Sequence, residues 1–198
     1  ISVDGVYNAI GAHFYRNYSD DENKELALTT VKERIQSDEL FEYLVNGKKG
    51  YFSIDGLTIK RELVEKTGFF QEHLVVAEDT DWLLKMALTS KLVAGNINEA
   101  VAMRGVHDAN IFNQTEQYKV HRQKMFESVI NWSLQNKIQT SKIDLLLSCL
   151  FNHRNKEKYG LLAELNYWFF LLKSNPILIT SILAIKYCPI IRKRKQLF

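Results

Sequence analysis

The chain has 198 residues, a formal net charge of +3 and 46% hydrophobic residues, enough for one good core with a helical extension. Only two prolines, with a quarter of the residues charged, exclude a disordered chain. Cys149 and Cys188 both sit in apolar helical surroundings, which argues against a secreted disulfide scaffold and for buried free thiols in a reducing, cytoplasmic compartment; no CxxC or Cys/His cluster suggests zinc.

In chain order, residues 3–15 are apolar and aromatic and read as a buried strand. Because the chain enters this strand almost at once, with neither a basic region nor an apolar leader, we expect a fragment whose first βαβ units lie upstream. Residues 17–25 read as a charged loop, and Asp20-Asp21-Glu22 within it as solvated. Residues 37–46 predict a short helix, with Leu40, Phe41, Leu44 and Val45 at helical spacing and Asn46-Gly47 as its stop. Residues 52–59 predict a strand broken at Asp55-Gly56. Residues 60–67 predict a helix ended by Gly68 in a left-handed cap.

The stretch Ala77-Glu78-Asp79-Thr80-Asp81-Trp82-Leu83-Leu84 is the most informative. Three carboxylates fall within four residues and give way at once to a helical apolar run over 80–89, with Leu83, Leu84, Ala87 and Leu88 facing inward. Acids at a helix start are favoured by its free amides and positive dipole, so taken alone the segment reads as plain capping, and its company on both sides shifts the balance. Asp81 lies about 200° round the helix from Asp79, which points it to solvent or to a capping role. Short strands are expected over 91–94 and 100–104, and from 113 onward only helices, divided near 136–140, 153–158 and 174–176.

The order of parts resembles the C-terminal half of the catalytic domain of family-2 inverting glycosyltransferases, which have the GT-A fold. Their pattern of "R-x-x-x-x-x-x-G-x-F-x-E", "E-D-x-x", a helix and "R-x-H-x-x-N" is matched by Arg61 with Gly68-Phe69-Phe70-Gln71-Glu72, Glu78-Asp79, and Arg104 with His107 and Asn110. The last element departs from the pattern: His107 stands three residues after Arg104, as "R-x-x-H". The resemblance covers residues 1–112. It implies an α/β fold, a partial GT-A-like (Rossmann-like) sheet with helices, followed by an all-helical extension over 113–198.

The same resemblance implies transfer of a sugar from a nucleotide-sugar to a hydroxyl of a glycan or lipid-linked acceptor, with inversion. Asp79 would be the general base, a role that needs a carboxylate held stiffly within hydrogen-bond reach. Glu78 would orient it or contact the acceptor. Ser53, Asp55 and Gly56 would form the small-residue loop facing the sugars, and Arg104 would offer a forked charge to phosphate. His107 falls where the family often binds the divalent ion or the diphosphate, with Mg²⁺ or Mn²⁺ expected and its other ligands in the missing part. Asp79-Thr80-Asp81 has the letters of the family's D-x-D metal motif, but it opens a helix at the base position. Each residue also has a plain reading: 53–56 as a strand end with a turn, Arg104 as a strand-end arginine, His107 as an ordinary histidine. Trp82 is either a sugar platform or core.

Charge divides the chain. Residues 1–136 carry 15 Lys and Arg against 20 Asp and Glu, residues 137–198 carry 11 against 3. The basic excess peaks at Arg192-Lys193-Arg194-Lys195, after an apolar run over 176–191 interrupted by Lys186. Its 12 uncharged residues over 174–185 are too few to span a bilayer of about 30 Å. The run fits an interfacial helix on an anionic membrane, peripheral on the inner face, or else packs on the domain or a second copy. The contiguous Tyr167, Trp168, Phe169 and Phe170 surround a helix instead of interleaving with basic residues, so no nucleic-acid partner is expected. A second function class stays open: a non-catalytic membrane-surface or oligomerisation module carrying a degenerate α/β remnant.

Overall fold

A computed structural model describes residues 2–14, 25–28, 31, 33–47, 50–106 and 115–194. It is mixed α/β, with two small mixed sheets and a helical C-terminal region, and it divides into two compact units, Ile1–Arg122 and Gln123–Phe198. The division falls inside a long helix, beyond the boundary read from the sequence at 112.

In the first unit the expected strand over 3–15 is two, β1 (Gly5–Tyr7) and β2 (Ile10–Phe14). Asn8 interrupts it. Its backbone N–H and its side-chain Nδ2 both donate to Gly56 O (2.8 and 2.9 Å), and its Oδ1 accepts from Asn96 N (2.9 Å). One side chain thereby takes over the ladder positions while the strand passes from one sheet to the next. The second sheet contains a strand that the sequence reading missed, β3 (Glu25–Leu28), antiparallel to β2.

Helix α1 (Leu40–Asn46) ends at Gly47 in the left-handed conformation, φ 62°, as the sequence predicts. The strand expected over 52–59 is shorter. Ser53 caps a 3-10 turn over Ile54–Gly56, and only β4 (Leu57–Ile59) pairs, antiparallel to β1. Gly56 sits against β1 so closely that a Cβ there would lie 2.6 Å from Asn8 O. Helix α2 (Arg61–Thr67) follows. Gly68 closes it at φ 79°, ψ −175°, a glycine conformation but not the expected left-handed cap.

Helix α3 (Glu78–Thr89) starts two residues earlier than read from the sequence, so Glu78 and Asp79 lie inside its first turn. Strands β5 (Leu92–Ala94) and β6 (Ala102–Val106) run parallel to β1 and β2, extending each sheet on the side opposite its antiparallel partner. The core of this unit is built on Tyr7, stacked on Phe52 with ring centroids 4.7 Å apart, with Ile10, Phe41, Leu84, Met86 and Leu92 buried.

Asp81 does not face solvent. It is fully buried, with Oδ2 2.5 Å from the equally buried Lys85 Nζ one turn on. Helix α3 is enclosed along most of its length, since Leu83, Leu84, Met86 and Ala87 are also buried. A carboxylate in that position must be paired, and the i,i+4 spacing supplies the partner.

Helix α4 (Thr115–Gln135) opens the helical region, followed by α5 (Thr140–Lys156) and α6 (Leu161–Ser174). The apolar run over 176–191 is not one interfacial helix but three short ones, α7 (Pro176–Ile179), α8 (Ile182–Lys186) and α9 (Pro189–Arg194). Pro176 and Pro189 each open a helix, because proline lacks the N–H that would continue the preceding one. Ser181 restarts the chain at α8 by accepting from Leu183 N (3.2 Å). Leu178 of α7, Leu183 of α8, Tyr187 at the end of α8 and Pro189 of α9 are buried. Tyr187 stacks on Phe151 of α5 at 5.4 Å, and Trp168 of α6 meets the same ring at 5.8 Å. Cys149 and Cys188 are free thiols, both half-buried.

A buried charge cluster ties this second unit together. Arg154 donates through Nε and Nη2 to Glu164 Oε1 (3.1 and 2.8 Å) and through Nη1 to Gln123 Oε1 (2.8 Å). Arg192 of α9 holds the other Glu164 oxygen. The Arg154 guanidinium lies 3.5 Å over the Tyr167 ring, whose hydroxyl donates to Glu127 Oε1 (2.5 Å).

Candidate active site

The approach to α3 is fixed from two sides. Leu74 and Val76 are buried, and Val75 N donates to Nδ1 of the buried His121 (3.2 Å), which anchors the backbone just ahead of the acids. Ala77 then takes a left-handed conformation, φ 66°, ψ 19°, which a non-glycine residue adopts at a cost of about 1–2 kcal/mol. Its carbonyl accepts the first helical bond, from Asp81 N at 2.9 Å. This sharp entry turns the chain so that Glu78, Asp79 and Thr80 face a cleft of about 440 Å³.

Both carboxylates are half-buried and sit at the helix start, where free amides and the dipole favour negative charge. Asp79 Oδ1 accepts from Thr80 N (2.6 Å) and Thr80 Oγ1 (3.1 Å), which fixes its rotamer. Arg104, on β6, lines the same cleft, as do Tyr51, ahead of the 3-10 turn, and Tyr118, on α4. The cleft therefore joins two anionic oxygens-bearing side chains, one guanidinium and two phenol rings. Such a set can take a proton from a hydroxyl, hold an anion and stack on a flat apolar face.

Of the residues singled out in the sequence, the structure brings Glu78, Asp79 and Arg104 into one cleft. It puts Ser53, Asp55, Gly56 and Trp82 to structural use beside it. Ser53 Oγ accepts from Asp55 N (3.3 Å) and donates to Asp55 Oδ2 (3.0 Å), capping the turn. Gly56 gives the close approach to Asn8. Trp82 Nε1 donates to Thr67 Oγ1 (3.0 Å) and Gly68 O (2.8 Å), and its ring packs on Phe70 at 4.8 Å, pinning the end of α2 to α3. His107 lies outside the described residues, as does Asn110.

Sequence reading missed Tyr51, Tyr118 and His121. Tyr51 carried a faint signal as an aromatic beside a glycine just before a turn, while Tyr118 and His121 lie on a helix whose pattern does not single them out. Among the described residues no group of three or more His, Cys, Asp and Glu could cage a metal ion. The cleft offers only the two carboxylates of Glu78 and Asp79, and His107, the residue assigned to the metal, lies outside the described residues. Compared with known proteins, the chain matches no family model, no curated protein and no solved structure.

Proposed function

We propose that the cleft is the acceptor side of an inverting glycosyltransferase site of the GT-A type, in which Asp79 is the general base. The observation that carries this reading is the pair of carboxylates on the first turn of α3, entered through a left-handed Ala77 and sharing one cleft with Arg104. Asp79 keeps Oδ2 available while Thr80 holds Oδ1, so the carboxylate is stiff and still able to accept a proton. The acceptor hydroxyl of a glycan or lipid-linked sugar loses its proton to Asp79 as it attacks the anomeric carbon of a nucleotide-sugar. Attack comes from the face opposite the leaving diphosphate, and the configuration inverts. Glu78 orients the acceptor, Arg104 attracts the phosphates, and the Tyr51 and Tyr118 rings offer faces to sugar C–H surfaces. A Mg²⁺ or Mn²⁺ held with the help of His107 would supply Lewis-acid charge for the leaving diphosphate. The work would be done at the inner, cytoplasmic face of a membrane, in synthesis of a cell-surface polysaccharide or glycan.

The resemblance spans half a catalytic domain, so the 198 residues alone should bind nucleotide-sugar only weakly, and the test uses the complete protein. There, Asp79→Asn should lower transfer 10²–10⁴-fold, the usual effect of losing a general base, with circular dichroism unchanged. Transfer within about threefold of wild type would remove Asp79 from the role. The exposed apolar side chains of the helical unit favour a second reading, a non-catalytic membrane-surface or oligomerisation module. No sugar transfer by the complete protein with any nucleotide-sugar would leave that reading standing.

A further inference from the structure

We infer that the outward faces of α6, α7 and α8 form a docking surface for an anionic lipid bilayer, on which the second unit lies without crossing. Leu162, Phe169 and Phe170 recur at i, i+7 and i+8 on α6 and are 72%, 63% and 54% exposed, whereas Glu164, Trp168 and Leu171 on the other face are buried. The short helices repeat the arrangement. Ile177 points out where Leu178 points in, and Ile182 and Ile185 point out, 68% and 60% exposed, where Leu183 points in. Single exposed aliphatics are ordinary on any protein, but their recurrence on three consecutive helices marks an interaction surface.

Charge selects the occupant. Residues 165–198 contain six Lys and Arg and no Asp or Glu. Of the acids that meet this segment, Glu164 is buried between Arg154 and Arg192, and Asp144 is paired with Lys186 of α8. Lys173 stands one turn beyond Phe169 and Phe170, placed so that its stem can follow the apolar surface while its ammonium reaches a headgroup. An apolar face on a segment whose cations outnumber the acids they meet matches anionic lipid, whose surface potential attracts basic segments. Among the described residues no helix is long and apolar enough to cross a membrane, so the contact is interfacial. This inference is independent of the glycosyl-transfer reading, since it concerns a different unit and different residues.

Sedimentation of the 198-residue chain with vesicles tests it. Binding to phosphatidylcholine–phosphatidylglycerol vesicles should exceed binding to pure phosphatidylcholine by about tenfold or more at 0.1 M salt and lose most of that excess at 1 M, as the Debye length falls from about 10 to 3 Å. The double variant Ile182→Ser/Ile185→Ser alters exposed positions, should keep the wild-type circular dichroism, and should weaken binding about tenfold or more at either salt concentration. Lys173→Gln with Lys193→Gln and Lys195→Gln should weaken it only at low salt. Three results would overturn the inference: no vesicle binding, equal binding to both lipid compositions, or unchanged binding of the double serine variant. A dimer that the serine variant dissociates, with no affinity for vesicles, would assign the face to a second copy of the chain instead.

Discussion

The two units place their charges in opposite ways. Residues 1–122 carry 14 Lys and Arg against 19 Asp and Glu, and their functional candidates, Glu78, Asp79 and Arg104, open onto a cleft. Residues 123–198 carry 12 against 4, yet three of those four acids, Glu127, Asp144 and Glu164, take part in internal bonds, while isoleucine, leucine and phenylalanine line the outside. The first unit opens a cleft lined by charged side chains beside a braced, strained turn. The second is a helical scaffold whose interior is partly ionic and whose exterior is partly apolar. Each arrangement has its own weak point.

Removing residues 176–198 should have the largest effect. Leu178 of α7, Leu183 and the capping Tyr187 of α8 and Pro189 of α9 are core, and Arg192 pairs with Glu164. Truncation after Asn175 therefore should strip a hydrophobic face from α5 and α6 and leave Glu164 short of one cation, so the second unit loses its cooperative unfolding transition. Calorimetry that still gave a second-unit transition at its wild-type temperature would show that these helices are only an appended anchor.

Glu164→Gln comes next. It leaves two buried arginines facing a neutral amide, and breaking a buried ion pair from one side costs about 3–5 kcal/mol. Asp81→Asn makes the matching change in the first unit, where the same argument gives a similar loss against Lys85. Urea unfolding measures both. If Asp81→Asn were near neutral while Glu164→Gln was costly, the ionic interior would be a property of the second unit alone.

Alkaline pH sharpens the contrast further. Burial pushes the Tyr167 hydroxyl far up, with the Glu127 carboxylate opposing its ionisation, and Tyr187 is raised by burial and by Asp144. In the first unit Tyr7 is raised, by burial. A tyrosine whose folded pKa lies above its unfolded value of about 10 contributes stability that is intact below pH 10 and is lost as the pH rises beyond it. The second unit should therefore lose stability more steeply above pH 10 than the first. Tyr167→Phe should flatten that slope, and an unaltered slope would show that Tyr167 already ionises freely in the folded unit.

Helices were legible from the sequence wherever one face was apolar and a stop signal followed, as at Gly47 and near residues 136–140, because period and punctuation are local properties. The strand break at Asn8 was not, since it depends on Gly56 and Asn96, which are distant in sequence. Asp81 was misplaced for the same reason: its pairing with Lys85 is local, but its burial comes from tertiary enclosure. In the cleft, Glu78, Asp79 and Arg104 stood out by motif. Tyr51 and Tyr118 join them, and His121 braces Val75, only when β6, the segment ahead of the 3-10 turn, the loop before α3 and the start of α4 converge.

The smallest predicted effect concerns the turn that presents the acids. Ala77 at φ 66° carries about 1–2 kcal/mol of backbone strain that glycine would not. Glycine also gives the unfolded chain more freedom, which takes back about 0.4–1 kcal/mol. Ala77→Gly should thus stabilise the first unit by roughly 1 kcal/mol or less, seen as a higher urea midpoint at unchanged slope. Its effect on transfer in the complete protein should run the other way, because a glycine turn no longer confines Glu78 and Asp79 to one approach angle. A more stable variant with undiminished transfer would mean that Val75 and His121 alone position the acids. A destabilised one would mean that the buried Cβ of Ala77 is worth more as packing than its conformation costs.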